Sequence, residues 1–147
     1  MQTKSLLKNN NILSILETEE NKLWIGTNDG ISIYNPKTES FESFKQTDQN
    51  GEPVWGQILK IKTDKSGNIW IASSSSGLYR YNLQSHKVHR FYHDPNKSGS
   101  LGSGSVSSLS IDAKGVVWVG ILGGGVERFV PANDSFIKFD SPDQRLK

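Results

Sequence analysis

The 147-residue sequence contains no cysteine, which removes disulfides, thiolate metal sites and cysteine nucleophiles together. That absence leaves the compartment open, because an exported protein need not contain cystine. No apolar stretch approaches the ~20 residues of a membrane span. The opening run Met1-Gln-Thr-Lys-Ser-Leu-Leu-Lys8 has too few apolar residues for a secretion signal, so these residues carry no address and contact no membrane. Seventeen basic and 15 acidic residues are interspersed to a net charge of +2. No Lys/Arg run tracks phosphates, which argues against a nucleic-acid partner.

What the chain does have is an internal repeat. Trp24, Trp70 and Trp118 stand 46 and 48 residues apart in nearly the same surroundings: Lys22-Leu-Trp-Ile-Gly-Thr27, Asn68-Ile-Trp-Ile-Ala-Ser73 and Val116-Val-Trp-Val-Gly-Ile121. A period of this length marks an array of supersecondary units, none of which buries its apolar face alone. Nine residues before each Trp stands an aliphatic, Ile15, Ile61 or Leu109, in an alternating run that reads as a half-buried strand. A tight turn follows, aligned as Glu19–Lys22, Asp64–Gly67 and Asp112–Gly115. Asp at the first turn position can accept nearby backbone N–H groups, and Gly at the fourth supplies a positive φ. The first repeat lacks both, so its turn is expected to be less well defined.

After each Trp strand, Gly30, Gly77 or Gly125 opens a third strand. A polar turn then leads to a fourth, whose apolar positions are Phe41/Phe44, Val88/Phe91 and Phe136/Phe139. Their spacing of three breaks alternation and predicts a bulge or strong twist there. Four short antiparallel strands per unit at this period predict an all-β fold of three β-propeller blades. Helices are disfavoured by β-branched and aromatic enrichment and by the Gly that recurs after each Trp strand. The chain divides into a lead-in (1–11), blade 1 (12–45), a connector (46–54), blade 2 (55–92), a Ser/Gly-rich connector (93–105), blade 3 (106–139) and a tail (140–147).

These residues resemble the two-component regulator propeller repeat. Blade 2 carries the pattern best, with Ile58, Ile61, Asp64, Gly67, Asn68, Ile69, Trp70, Ile71, Gly77, Leu78, Arg80 and Tyr81. Blade 1 keeps Leu23-Trp-Ile-Gly-Thr27, and blade 3 has Val116 where the family has Asn. The resemblance implies the periplasmic sensor region of a hybrid two-component regulator from Bacteroidetes, binding an oligosaccharide and signalling to a kinase. No phospho-acceptor His motif or nucleotide-binding motif is present in these residues. Asp64–Trp70 is also similar to the sialidase Asp-box, but that motif places Gly two residues after Asp, not three.

The repeat residues Trp24, Trp70 and Trp118, with Gly30, Gly77 and Gly125, read as structural, because a fixed place inside an apolar strand suits packing between blades. Trp55 lies outside that register, on a connector, and is the candidate ligand platform, joined by Asn28, Asp29 and Tyr92; a Trp closing the end of the core is the alternative. Second-to-third-strand loops and interblade connectors share one rim of a four-strand meander, so ligand or partner is expected there. His86, His89 and His93 have helical metal spacing, but on a strand His86 and His89 point oppositely, so no metal site is read. Arg80 and Arg128 are equivalent, with Ile33 in blade 1, and read as structural pairing across blades. No Ser/His/Asp set or carboxylate pair supports catalysis, and no cofactor is implied. Three blades cannot close a ring of the usual four to eight. Further blades, or a second copy completing six, are the expected partners, with an interaction scaffold as the alternative to a glycan sensor.

Overall fold

The computed structural model describes residues 6–139, and its regular structure is entirely β. Blade 1 comprises β1 (Ile12–Glu17), β2 (Leu23–Thr27), β3 (Gly30–Asn35) and β4 (Ser40–Ser43). Blade 2 comprises β5 (Ile58–Thr63), β6 (Asn68–Ser73), β7 (Gly77–Asn82) and β8 (Val88–Phe91). Blade 3 comprises β9 (Val106–Ile111), β10 (Val117–Ile121), β11 (Gly125–Val130) and β12 (Ser135–Phe139). Each blade is a separate four-stranded antiparallel meander, paired in chain order. The first strands lie innermost and side by side, where the Ile61 N–H of β5 donates to Ser14 Oγ of β1 at 3.2 Å. The tail 140–147 and residues 1–5 of the lead-in lie outside the described residues.

Because both faces of the middle blade are covered, its strands alternate between two cores rather than between core and water. Ile61, Ile69, Ile71, Tyr79, Tyr81 and Val88 join Trp24, Ile31 and Ile33 in the cluster between blades 1 and 2. Trp70, Ala72, Leu78 and Phe91 join Leu109, Val117, Val119, Phe129 and Phe136 in the cluster between blades 2 and 3. This alternation explains the spacing of three in β8. Val88 and Phe91 point to opposite faces of the sheet, and each feeds a different core.

The expected bulge is not in the fourth strands, whose register with the third strands runs without a shift. The irregularities fall at the start of each first strand instead, between Ile12 and Ser14, between Ile58 and Lys60, and opposite Gly120/Ile121. A bulge raises local twist, which suits strands that converge on the inner side of the array.

Two further expectations are corrected. Ile15 is not half-buried but 62 % exposed, whereas the equivalent Ile61 is 2 % exposed. Ile15 lies on the face of blade 1 that no blade covers among the described residues. The first tight turn is as well formed as the others, one residue earlier than expected. Thr18 N–H donates to the Lys22 carbonyl and Asn21 N–H to the Thr18 carbonyl, both at 2.9 Å, matching the Asp112–Val116 turn of blade 3. Asn21, at φ 59°, takes the left-handed position that Gly67 and Gly115 occupy at 82°. Asn tolerates that conformation better than most residues, so loss of the glycine leaves the turn intact.

Candidate functional site on the connector rim

The tight-turn aspartates do more than shape turns. Asp64 Oδ1 accepts the N–H groups of Ser66 and Asn68, while its Oδ2 accepts the Trp70 indole N–H at 2.8 Å. Asp112 repeats this with Lys114, Val116 and the Trp118 indole at 3.0 Å. Burial opposes ionisation of Asp64, but the bonds from Trp70, Asn68 and Ser66 outweigh it and hold the carboxyl below its usual pKa. The Asp112 carboxyl is lowered chiefly by its Trp118 bond. Sequence reading missed this lock, although the constant interval of six residues between Asp and Trp signals it. In blade 1 the same interval reaches Thr18, so no carboxylate stands there to accept from Trp24.

The aromatic rings make the contacts between blades. Trp24 lies 5.0 Å from Phe44 and 5.3 Å from Tyr81 of the next blade. Trp70 lies 6.0 Å from Phe91 and 5.0 Å from Phe129 of the next blade. Arg80 stacks over Trp70, Phe91 and Phe129 at 5.2–5.8 Å and reaches across to Asp134 at 3.0 Å. Trp118 has Phe139 at 5.7 Å, and Arg128 lies over that ring at 6.0 Å.

On the rim opposite the tight turns, the second-to-third-strand loops meet the connectors. Gln57 bridges two blades: its Nε2 donates to Asn28 Oδ1 at 3.1 Å and its Oε1 accepts from Ser74 Oγ at 3.0 Å. The Trp55 carbonyl accepts from Ser73 Oγ and Ser76 Oγ, at 3.3 and 2.9 Å. Gly30 N–H donates to the Gly56 carbonyl, and Gly77 N–H to the Gly104 carbonyl. Much of the Ser73–Ser76 run is thereby occupied in pinning the connector. The Trp55 side chain is left 44 % exposed above this fixed backbone, with Asn28 and Asp29 on the adjoining loop. Asp29 itself faces Lys8 at 3.5 Å.

Tyr92 follows β8, with its Cα beside Gly77. It is 41 % exposed at the outer end of blade 2, under the Arg90 guanidinium, and lines a small cavity of about 100 Å³ with Lys97 and Asp94. The three histidines are also separated in role. His86 sits at φ 58° in the β7–β8 turn rather than on a strand, with Nδ1 2.8 Å from the Tyr81 hydroxyl. His93 Nδ1 lies 2.7 Å from the Leu101 carbonyl. His89 packs on Phe91 at 4.6 Å, and burial, aided by Arg80, lowers its pKa. No group of three His, Asp or Glu side chains suited to a metal stands together among the described residues.

A cavity of about 730 Å³ lies elsewhere, as an open groove on the outer edge of blade 2. There the first connector crosses the blade before returning to the rim. Gln49 pairs its side-chain amide with both backbone groups of Arg90, at 2.8 and 2.9 Å, and so covers the free edge of β8 as a strand would. Asp48 beside it is buried and caps its own turn through Asn50 and Glu52 N–H. Asn82, His89 and Arg80 form the opposite wall. The Asp48-Gln-Asn-Gly51 string shares the Asp-x-x-Gly form of the tight turns. Its contact with Arg90, 41 residues away, has no sequence signal.

Three like four-stranded sheets, locked face to face through one aromatic rule, make this a β-propeller module. A family model described as two-component regulator propeller matches residues 6–29. Over 127 residues (83 % of the chain) the sequence is 30 % identical to Histidine kinase P4 of Formosa agariphila, and the match spans 9 % of that kinase. The three blades are similar to two-component regulator propeller repeats. Its fold is similar to the extracellular domain of BT3049, assigned as a hybrid two-component system of B. thetaiotaomicron. There the TM-score is 0.81 at 24 % identity, covering 91 % of this chain and 19 % of that one. It is also similar to virginiamycin B lyase of Staphylococcus aureus, with a TM-score of 0.66 at 13 % identity, covering 95 % of this chain and 44 % of that one. The sequence thus spans about a tenth of the curated kinase and a fifth of the first solved relative.

Proposed function

We propose that these blades are part of the sensor region of a hybrid two-component signalling protein, placed in the periplasm, and that their connector rim helps bind an oligosaccharide. Within that reading the blades do no chemistry of their own. Binding at the rim biases the packing of the propeller, and that bias passes to a kinase elsewhere in the whole protein. The relationship to a histidine kinase over most of the chain supports the signalling part. The ligand part rests on one observation: Trp55 is the tryptophan outside the repeat, exposed above a backbone fixed by Ser73 and Ser76. An indole face held this way suits the C–H face of a pyranose, and Asn28 and Asp29 offer polar groups for its hydroxyls.

Calorimetric titration of the whole extracytoplasmic region with neutral and uronic-acid oligosaccharides tests this. Trp55→Ala is expected to weaken binding at least tenfold while leaving the unfolding midpoint nearly unchanged. Unchanged affinity in Trp55→Ala, with loss in Asn82→Ala, would move the ligand to the outer groove. A second reading, a scaffold for protein partners, is favoured by the exposed Val126, Ile137 and Phe139 on the open face of blade 3.

A further inference from the structure

The two seams between blades are built alike and differ at two positions. In each, a second-strand Trp and a Phe at the end of the fourth strand meet a third-strand aromatic of the next blade. Tyr81 completes Trp24/Phe44 at the first seam, and Phe129 completes Trp70/Phe91 at the second. At the second seam the chain itself brings two charges to this trio. Arg80, paired in register with Trp70, holds its guanidinium carbon 5.2–5.8 Å from all three rings. The Asp64 carboxylate accepts the Trp70 indole N–H at 2.8 Å.

At the first seam both charges are missing. Ile33 takes the register place of Arg80, and Thr18 that of Asp64. Thr18 Oγ1 donates instead to the Lys22 carbonyl at 3.3 Å. The Trp24 indole N–H therefore has no hydrogen bond among the described residues, yet it is not sealed from solvent. Each seam opens into a cleft on the side of the tight turns. The second cleft is lined by Asp64, Trp70, Arg80 and Phe129 and reaches no residue of β8. The first, of about 310 Å³, runs past Ile33 to Glu42 and Phe44, with Trp24, Tyr81 and Thr18 along it. Without a guanidinium in the way, the trio Trp24, Phe44 and Tyr81, with ring centroids 5.0–5.3 Å apart, borders open space beside a carboxylate. Aromatic faces and a carboxylate together attract a cation, and the free indole N–H calls for an oxygen acceptor. Of the lysines in the cleft, Lys22 is paired with Glu20 at 3.4 Å, while Lys45 is exposed.

We propose that the first seam binds a small molecule carrying both a guanidinium or ammonium group and a carboxylate, the chemistry of a free basic amino acid. The ligand's cation takes the place that Arg80 fills in the second seam, over Trp24, Phe44 and Tyr81 and near Glu42. Its carboxylate accepts the Trp24 N–H as Asp64 accepts that of Trp70, with Lys45 as counter-charge. The site lies wholly between blades 1 and 2, on the rim opposite Trp55. It depends neither on the oligosaccharide reading nor on what adjoins the three blades.

Isothermal calorimetry of the full-length protein with L-arginine tests it. Citrulline, which lacks the side-chain charge, and agmatine, which lacks the carboxylate, are the comparisons. Arginine is expected to bind, and each comparison to bind about tenfold more weakly or worse. Glu42→Gln, at an exposed position, is expected to weaken arginine by about the same factor. Ile33→Arg, which supplies from the chain the cation of the second seam, is expected to abolish binding, with circular dichroism to verify the fold. Thr18→Asp, which supplies the acceptor, is expected to remove the advantage of arginine over agmatine. Absence of heat with millimolar arginine would overturn the proposal. So would binding that citrulline or agmatine matches, or binding indifferent to Glu42→Gln and Ile33→Arg.

Discussion

Removing the Asp64 carboxylate should unlock the centre of the array. That one side chain accepts four hydrogen bonds: Ser66 and Asn68 N–H, Asn68 Nδ2–H at 3.0 Å and the Trp70 indole at 2.8 Å. A hydrogen bond to a charged group contributes about 1.5–3 kcal/mol, and a buried N–H left without an acceptor costs about 1–3 kcal/mol. Trp70 is 2 % exposed, so its indole N–H has little water to turn to. The four bonds share one group and do not add, and Asp64 itself is partly open to solvent, so the lower ends apply. Asp64→Ala is expected to lose about 3 kcal/mol, lowering the urea midpoint by about 1–2 M at fixed protein concentration. Asp64→Asn retains the turn acceptor but opposes an amide donor to the indole, and should fall between. The folded-state pKa of Asp64 is depressed, so its contribution is present above the unfolded pKa near 4 and is lost as pH falls through the lower folded value. Acid titration of stability should therefore be shallower in Asp64→Asn. A midpoint for Asp64→Ala within ~0.5 kcal/mol of wild type would refute this assignment.

Other outcomes follow from the same contacts. A double-mutant cycle on Arg80 and Asp134 should give a coupling of about 1 kcal/mol, because the pair is half-exposed; zero coupling by urea unfolding would make the contact incidental. Gly77→Ala should cost well over 2 kcal/mol, since at φ 93° its new Cβ would strike the Phe91 carbonyl oxygen. Gly123→Ala, with open space around it, should cost only about 1 kcal/mol of backbone strain, and equal midpoints for the two would contradict this geometry. The pKa of His89 is lowered by burial, so stability is expected to decline as pH falls below the unfolded value near 6.5, and His89→Asn should remove that slope.

The blades were legible because repetition turns weak local signals into strong ones. Trp, turn glycine and third-strand glycine recur in register, and each is demanded by the fold locally. The misreadings have local causes as well. The spacing of three reads as a broken alternation when one buried face is assumed, but in Val88/Phe91 it serves two cores. The first turn is masked in the sequence because Thr18 and Asn21 replace Asp and Gly, although Asn performs the same left-handed role. His86 lies in a turn that the strand assignment overran. Gln57 ties the Asn28 loop to the Trp55 connector, while Tyr92 stands beside Gly77 at the end of β8. The outer groove was beyond reach from sequence, since it depends on Gln49 crossing to Arg90. Such a contact leaves no periodic trace.

The division of labour among the four tryptophans is the central claim, and fluorine NMR of the 5-fluorotryptophan-labelled extracytoplasmic region tests it most directly. Titration with a binding oligosaccharide is expected to move the Trp55 resonance and leave those of Trp24, Trp70 and Trp118 nearly in place. Movement of the three repeat tryptophans with Trp55 unaffected would contradict the account.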